Sequence, residues 1–482
     1  MTLTTAIGRP CATGRHSRPA AAPAAALLGF FVITLDALVV NVALPDIRAD
    51  LGGGMTGLQW VVDGYTLMFA ALLLSAGSVS DRIGARAAFG LGLTVFILSS
   101  AACAPAPTLP VLIAARLVQG AGAAAMMPSS LALIREAYTD PIRRGRAVAV
   151  WAVGGAVASA AGPVVGGAAT LAGWRLIFII NLPVGVVALA LLARTARSPH
   201  RPVPFDVIGQ ITAVVAMGAL TFAAIEAGDA GFGAPVVQAA GAVAVVSLVV
   251  FLIVQARGAH PMVPLGLLRS RTLVVCAGAG FAFMAAFYGM VFLFSLYLQT
   301  ERGLTPLQTG LAFVPMTVLS AFLNPLAARA AERFGPRIPI AGGMFLMTGG
   351  LILLAAVPAG TPVWLLALLM LPVGLGGPLS MPPATALLVN SVPAHQAGTA
   401  GGVFNTSRQL GGALAVAVFG ALIADRASFL PGLRTGLLIA AVIAGTAGLA
   451  AMALRPPRPP VPSLRGSADT RQVTIHKTGE RP

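Results

Sequence analysis

The chain has 482 residues, 57% hydrophobic and only 10% charged, with 31 Lys plus Arg against 15 Asp plus Glu and a formal net charge of +16. A soluble domain carries about a quarter charged residues, so this composition cannot cover a water-exposed surface, and its hydrophobicity excludes disorder. A mean hydropathy of +0.88 implies a chain that lies mostly in lipid.

The N-terminal residues Arg9, Arg15 and Arg18 precede an apolar run. That pattern imitates a signal peptide, but the run over 24–44 is long enough to span a bilayer and contains Asp36 and Asn41, so it reads as a retained first span. Further apolar stretches follow at about 59–79, 87–106, 110–133, 146–168, 175–193, 207–225, 233–256, 272–298, 307–328, 338–357, 361–383, 399–423 and 433–453. Each suits a helix of roughly 20 residues crossing the bilayer. The spacing therefore predicts fourteen transmembrane helices. The Pro-rich tail over 455–482 is expected to be disordered and cytoplasmic, like the N-tail over 1–23.

With both termini placed inside, the alternation puts 24 of the 31 basic residues at inside positions and 5 outside, with Arg116 and Arg408 inside spans. Such asymmetry is the positive-inside rule. It accounts for the positive charge and removes the case for nucleic acid. The segments 194–206 and 257–271 isolate spans 7 and 8, which predicts a bundle over 24–193, an inserted pair over 207–256 and a second bundle over 272–453. Cys11, Cys103 and Cys276 are too few and too scattered for a disulfide framework or a metal cluster.

Ionisable groups within the bilayer cost about 2.5–3.5 kcal/mol each and are functional candidates by default. Four occur here: Asp36 in span 1, Asp63 near the outer end of span 2, Arg116 in span 4 and Arg408 near the inner end of span 13. A buried carboxyl at Asp36, tuned by a nearby cation such as Arg116, could exchange a proton. A fixed Asp36–Arg116 or Asp63–Arg116 bridge that only joins helices remains the plainer alternative. The stretch Gly77-Ser-Val-Ser-Asp81-Arg82-Ile-Gly84-Ala-Arg86 is expected to make a turn after span 2, with Asp81 at a helix N-terminus and Arg82 and Arg86 available to carboxylates or lipid head groups. Arg329 to Arg337 echoes it after span 10, which suggests an internal repeat. Gly162, Pro163, Gly166 and Gly167 in span 5 permit either a hinge or close helix packing. Trp60, Trp174 and Trp364 fall near outer ends and are expected to anchor there.

Together these residues resemble the major facilitator superfamily, in particular its fourteen-span drug:proton antiporter branch, from about Leu35 to Asp425. The loop motif Gly77 to Arg86 is similar to the superfamily's signature, with Ala85 where an arginine is usual. Leu35-Asp36…Asn41-Val-Ala-Leu-Pro45 resembles the branch's span-1 motif. Leu112…Arg116-Leu-Val-Gln119-Gly120 resembles the span-4 motif, Gly162-Pro163…Gly166-Gly167 the antiporter motif of span 5, and Trp174-Arg175…Asn181-Leu-Pro183 and Asn405…Arg408-Gln409 further stretches of the branch. Details around Trp60 to Tyr65 and Ala114 to Ser130 are similar to actinomycete exporters of self-made antibiotics.

The resemblance implies an all-α fold of two six-helix bundles plus two inserted helices, with a midplane cavity between the bundles. It implies alternating-access export of a drug or antibiotic in exchange for protons, by a monomer in the cytoplasmic membrane without cofactor or metal. Proton coupling falls to Asp36, Arg116 and Asp63, and a hinge or leak-preventing role to Gly162, Pro163, Gly166 and Gly167. Asn41, Phe283, Phe287 and Arg408 become candidates for the cavity wall, near Phe281 and Met284. With one of two acids occupied by protons, cationic or neutral apolar substrates are favoured, and anions stay open through Arg116 and Arg408. An importer of a small metabolite is the alternative reading. No His-Glu-x-x-His or phosphate-loop motif is present, which argues against an enzyme or a nucleotide-driven pump.

Overall fold

The computed structural model describes residues 20–200, 204–393, 396–425 and 428–454, and it consists of helices joined by short connections. The tail expected over 455–482 and most of that over 1–23 lie outside the described residues. The first group of helices is α1 (Ala21–Leu51), α2 (Met55–Ile83), α3 (Ala85–Cys103), α4 (Leu109–Ala137), α5 (Pro141–Ala172), α6 (Leu176–Ile179) and α7 (Asn181–Leu192). Next come α8 (Val207–Ala230) and α9 (Pro235–Arg257). The rest are α10 (Arg271–Leu296), α11 (Pro306–Phe334), α12 (Arg337–Ala356), α13 (Val363–Leu369), α14 (Leu371–Asn390), α15 (Ala397–Leu422) and α16 (Phe429–Met452).

Several helices outrun the apolar stretches that announce them. α1 continues through Asp46, Arg48 and Asp50, because a helix satisfies its own backbone in lipid and in water alike. It stops at Gly52 and Gly53, whose φ values of 72° and 88° suit glycine. The sixth and twelfth stretches are each interrupted, at Ile180 and Met370. Pro183 and Pro372 follow these breaks; a proline lacks the N–H and crowds the preceding turn. Among the described residues, eleven helices are long and apolar enough to cross a membrane. The sixth stretch is helical but shorter, and α11 and α15 complete the row of rods.

The two outer groups are built on one packing plan. α1 packs on α5, α4 and α7, and correspondingly α10 packs on α15, α14 and α16. α4 holds α2 and α3, as α14 holds α11 and α12. α2 and α11 also end alike, at Gly84 (φ 86°) and Gly335 (φ 77°). Across the middle, α2 lies against α15 and α5 against α11, the same relation seen from either side. α8 packs on both α2 and α15 and carries α9 with it.

Small residues set the crossing of α5 and α11. A Cβ on Gly167 would meet the Pro306 carbonyl at 2.5 Å and the Leu307 Cα at 2.7 Å, and one on Gly310 would collide with the Pro163 carbonyl. Gly310→Val is therefore expected to force the two helices apart. Overpacking costs about 1–3 kcal/mol, visible as a lowered Tm of the purified protein. Gly342→Ala, a site with open space around it, should leave Tm unchanged or raised.

Candidate functional site

Midway along α1 the Asp36 side chain is buried at 0% exposure, and Arg116 of α4 meets it at 1%. The Arg116 Nη1 donates to Asp36 Oδ2 and, at 2.8 Å, to Gln119 Oε1; its Nε donates to the Val61 carbonyl at 3.1 Å. The other carboxylate oxygen accepts from Gln119 Nε2 at 3.0 Å and from Asn181 Nδ2 at 2.8 Å. Asn181 also reaches Ser100, whose hydroxyl donates to the Phe178 carbonyl at 3.0 Å. Behind the guanidinium stands Tyr65, its ring centroid 4.4 Å away and its hydroxyl bonded to the Ile33 carbonyl.

The physical reason for this density of donors is the medium. A lone charge here would be expelled or neutralised, whereas a paired and fully hydrogen-bonded one can stay. Helix geometry supplies the pieces: Arg116 and Gln119 lie one turn apart on α4, and Asn181 opens α7 at the break. Chemically, a carboxylate that loses its charge on protonation would release Arg116, so this pair can store either a proton or an ion pair.

Asp63 does not join it. It is buried on α2 and, among the described residues, neither of its oxygens has a hydrogen-bond partner. The Asp63–Arg116 bridge allowed by the sequence is thus absent, because Arg116 turns toward α1 and spends its Nε on Val61 of the α2 backbone. One turn from Asp63, Gln59 donates across to the Val416 and Ala417 carbonyls of α15, at 3.1 and 2.5 Å. Asn41 bonds its own helix at Ala37.

The loop stretch differs from its expected form. Gly77 lies inside α2, the turn is confined to Gly84, and Asp81 occupies the last turn of α2 instead of a helix N-terminus. The helix persists because nothing in Gly77-Ser-Val-Ser interrupts its hydrogen bonds. Arg82 is exposed. Arg86 donates its backbone N–H to Ser198 Oγ at 2.9 Å and its Nη2 to the Ala193 carbonyl at 3.2 Å. Ser198 in turn donates to Glu136 of α4. Ala85, where the resembling motif has arginine, is buried.

In α5, Cβ atoms on Gly162 and Gly166 would meet Leu38 Cβ and Val39 Cα of α1, both at 2.9 Å, while Gly167 and Pro163 face α11. Trp174 is corrected from an expected anchor in lipid to a buried residue. Its indole N–H donates to Asp50 at 3.0 Å, beside the Arg175–Asp50 pair at 2.5 Å, which draws the ring inward. Trp364 is exposed, and Trp60 packs near Phe222 of α8. Across the molecule, Phe283 and Phe287 of α10 stack with centroids 5.7 Å apart beside Arg408 of α15.

Gln119, Asn181 and Tyr65 stand within motifs legible in the sequence but without a role assigned to them there, and Ser100 belongs to none of those motifs. Their signal was polarity inside an apolar span. Among the described residues no cluster of His, Cys, Asp and Glu could hold a metal ion.

Residues 26–416 match the family model described as Major Facilitator Superfamily. The chain belongs to that superfamily. Like other major facilitator proteins it is a multi-pass transporter of the cytoplasmic membrane. It is 38% identical over 415 residues to the methylenomycin A resistance protein of Streptomyces coelicolor, covering 86% of this chain and 87% of that one. It is 36% identical over 400 residues to the multidrug resistance protein Stp of Mycobacterium tuberculosis, covering 82% and 74%. Among solved structures, the fold matches a bacterial homologue of the lysosomal transporter Spinster in an inward-facing, unoccupied conformation, with a TM-score of 0.63 at 17% identity over 91% of this chain and 97% of that one. It also matches a peptide transporter bound to alafosfalin, with a TM-score of 0.66 at 17% identity over 91% and 95%.

Asn181→Leu removes one donor from the buried carboxylate and is expected to lower stability by about 1–3 kcal/mol, read as a fall in Tm. Arg116→Lys keeps the charge but cannot span Asp36, Gln119 and the Val61 carbonyl at once. Transport should fall while membrane insertion persists, checked by export assay and membrane immunoblot.

Proposed function

We propose that this chain is a proton-coupled efflux transporter that expels a drug or antibiotic across the cytoplasmic membrane by alternating access, and so confers resistance. The observation that carries the reading is the Asp36–Arg116 pair, sealed from water in the middle of α1, with Asp36 met by donors from α4 and α7. The relatives, a methylenomycin A resistance protein and a multidrug resistance protein, supply the cargo class.

On this reading all fourteen helical rods cross the bilayer, both termini are cytoplasmic, and the moving bodies are the bundles over 24–193 and 272–453, with 207–256 inserted. The chain acts as a monomer. The basic turn at Arg82 and Arg86 then faces the cytoplasm, and the seam closed by Gly167, Pro306 and Gly310 faces outward. The state described is thus closed outside, with Asp36 deprotonated and paired. Substrate binds from the cytoplasm or inner leaflet. Rocking opens the outer seam and lets a proton reach Asp36, which frees Arg116 toward Gln119 and weakens the grip on the substrate. Return to the closed state and loss of the proton inside restore the pair. Asp63, with its unpartnered carboxyl, is a second proton site. One charge crossing 100 mV contributes about 2.3 kcal/mol, enough to concentrate substrate between one and two orders of magnitude per proton.

The test uses inside-out vesicles loaded with a pH-sensitive dye, energised, and given a panel of antibiotics. A substrate-dependent proton leak is expected with the wild type and absent with Asp36→Asn at equal membrane abundance. Undiminished export by Asp36→Asn would remove the proton-carrier role.

A further inference from the structure

Arg116 has its charge matched and its donors engaged. Arg408, the other cation within a span, does not. Among the described residues its one hydrogen bond runs from Nη1 to Asn405 Oδ1 of its own helix, at a long 3.3 Å, and its Nε is buried without a partner. Among the described residues no carboxylate pairs with it. A guanidinium held this way in lipid stands as a site awaiting a counter-charge, since an unpaired buried charge is costly to keep.

Its surroundings say what that counter-charge must be attached to. The Phe404 and Phe283 rings lie 5.8 and 6.0 Å from the guanidinium carbon, Phe287 stacks on Phe283, and Tyr288 touches Phe287 edge-on. Gly280 leaves room for the Arg408 stem, where a Cβ would meet its Cγ at 2.7 Å. The side chain stays partly open instead of being packed over. α10, which carries Phe283, Phe287 and Tyr288, packs on α15 and also on α1, the helix of Asp36.

We infer that Arg408 and the partly exposed Phe283–Phe287 pair beside it, backed by the buried Phe404, bind the substrate, and that the substrate is an amphipathic monoanion: a carboxylate on an apolar, ring-containing body. A planar guanidinium fork matches a carboxylate in two parallel hydrogen bonds, and the aromatic faces take the apolar part. The charges agree whenever Asp63 holds a proton, because Asp36 and Arg116 then cancel and Arg408 leaves one positive charge for one negative ligand. This reverses the preference for cations that counting acids in the sequence suggests. It rests on the efflux reading above and names that reading's substrate class. The rival partner for Arg408 is Asp63, the other unpaired group, approaching along the α2–α15 seam in a different conformation.

The experiment measures uptake into energised inside-out vesicles of radiolabelled fusidate and nalidixate, their methyl esters, and the cation ethidium. The full chain is compared with Arg408→Gln and Arg408→Lys. The acids should be carried at least about tenfold better than their esters. Arg408→Gln should lose that preference while Arg408→Lys keeps part of it, which separates charge from misfolding. Carriage of esters or ethidium without the acids would overturn the substrate class and leave efflux standing. Unchanged carriage of the acids by Arg408→Gln, or restoration of Arg408→Gln by Asp63→Asn, would assign Arg408 to Asp63 instead. No carriage of any compound would overturn the efflux reading and this inference with it.

Discussion

A carboxylate and a guanidinium held where water does not reach dictate much of the first helical group. Each charge alone would be expensive in the bilayer core, and the pair is tolerable only when its remaining donors and acceptors are met. Meeting them recruits Val61 from α2, Ser100 from α3, Gln119 from α4, and Phe178 and Asn181 from either side of the break between α6 and α7. α5 joins through glycines against α1. One electrostatic requirement thereby ties the whole group into one packed unit.

The opposite requirement holds at the centre of the molecule, where motion must remain possible. There the contacts are backbone against backbone, with Gly167 and Gly310 at the α5–α11 crossing, and a few single hydrogen bonds such as Gln59 to α15 and Gln299 to the Val42 carbonyl. These close tightly but carry no charge to be stripped when they part. Buried ionic networks within a group and small-residue seams between groups divide the labour of rigidity and mobility.

The helical rods were legible in the sequence because twenty apolar residues admit few other structures in lipid. Helix ends were less so, since α1 runs on through Asp46 and Asp50, where hydropathy says nothing about backbone hydrogen bonding. Asp36 and Arg116 could be named in advance because charge inside an apolar run is rare. Which acid Arg116 would choose was not readable: Asp36 and Asp63 are equivalent in composition, and only the crossing of α1, α2 and α4 distinguishes them. Trp174 failed for a related reason. A tryptophan at a helix end has the same signature whether its indole meets a head group or an Asp50 folded back from another helix.

The position of α8 carries a consequence for access. It lies along both α2 and α15, bonded to α2 through Gln210 to Ser75 and the Ala71 carbonyl, with Gly228 against Ala421 of α15. Among the described residues the opposite seam, between α5 and α11, has no such cover from the inserted pair, and Val150, Val153 and Val157 of α5 are exposed. The two seams are equivalent in the packing plan and unequal in what lies over them. The inserted pair therefore makes a twofold packing plan one-sided, shielding one of its two seams from the surroundings and leaving the other bare.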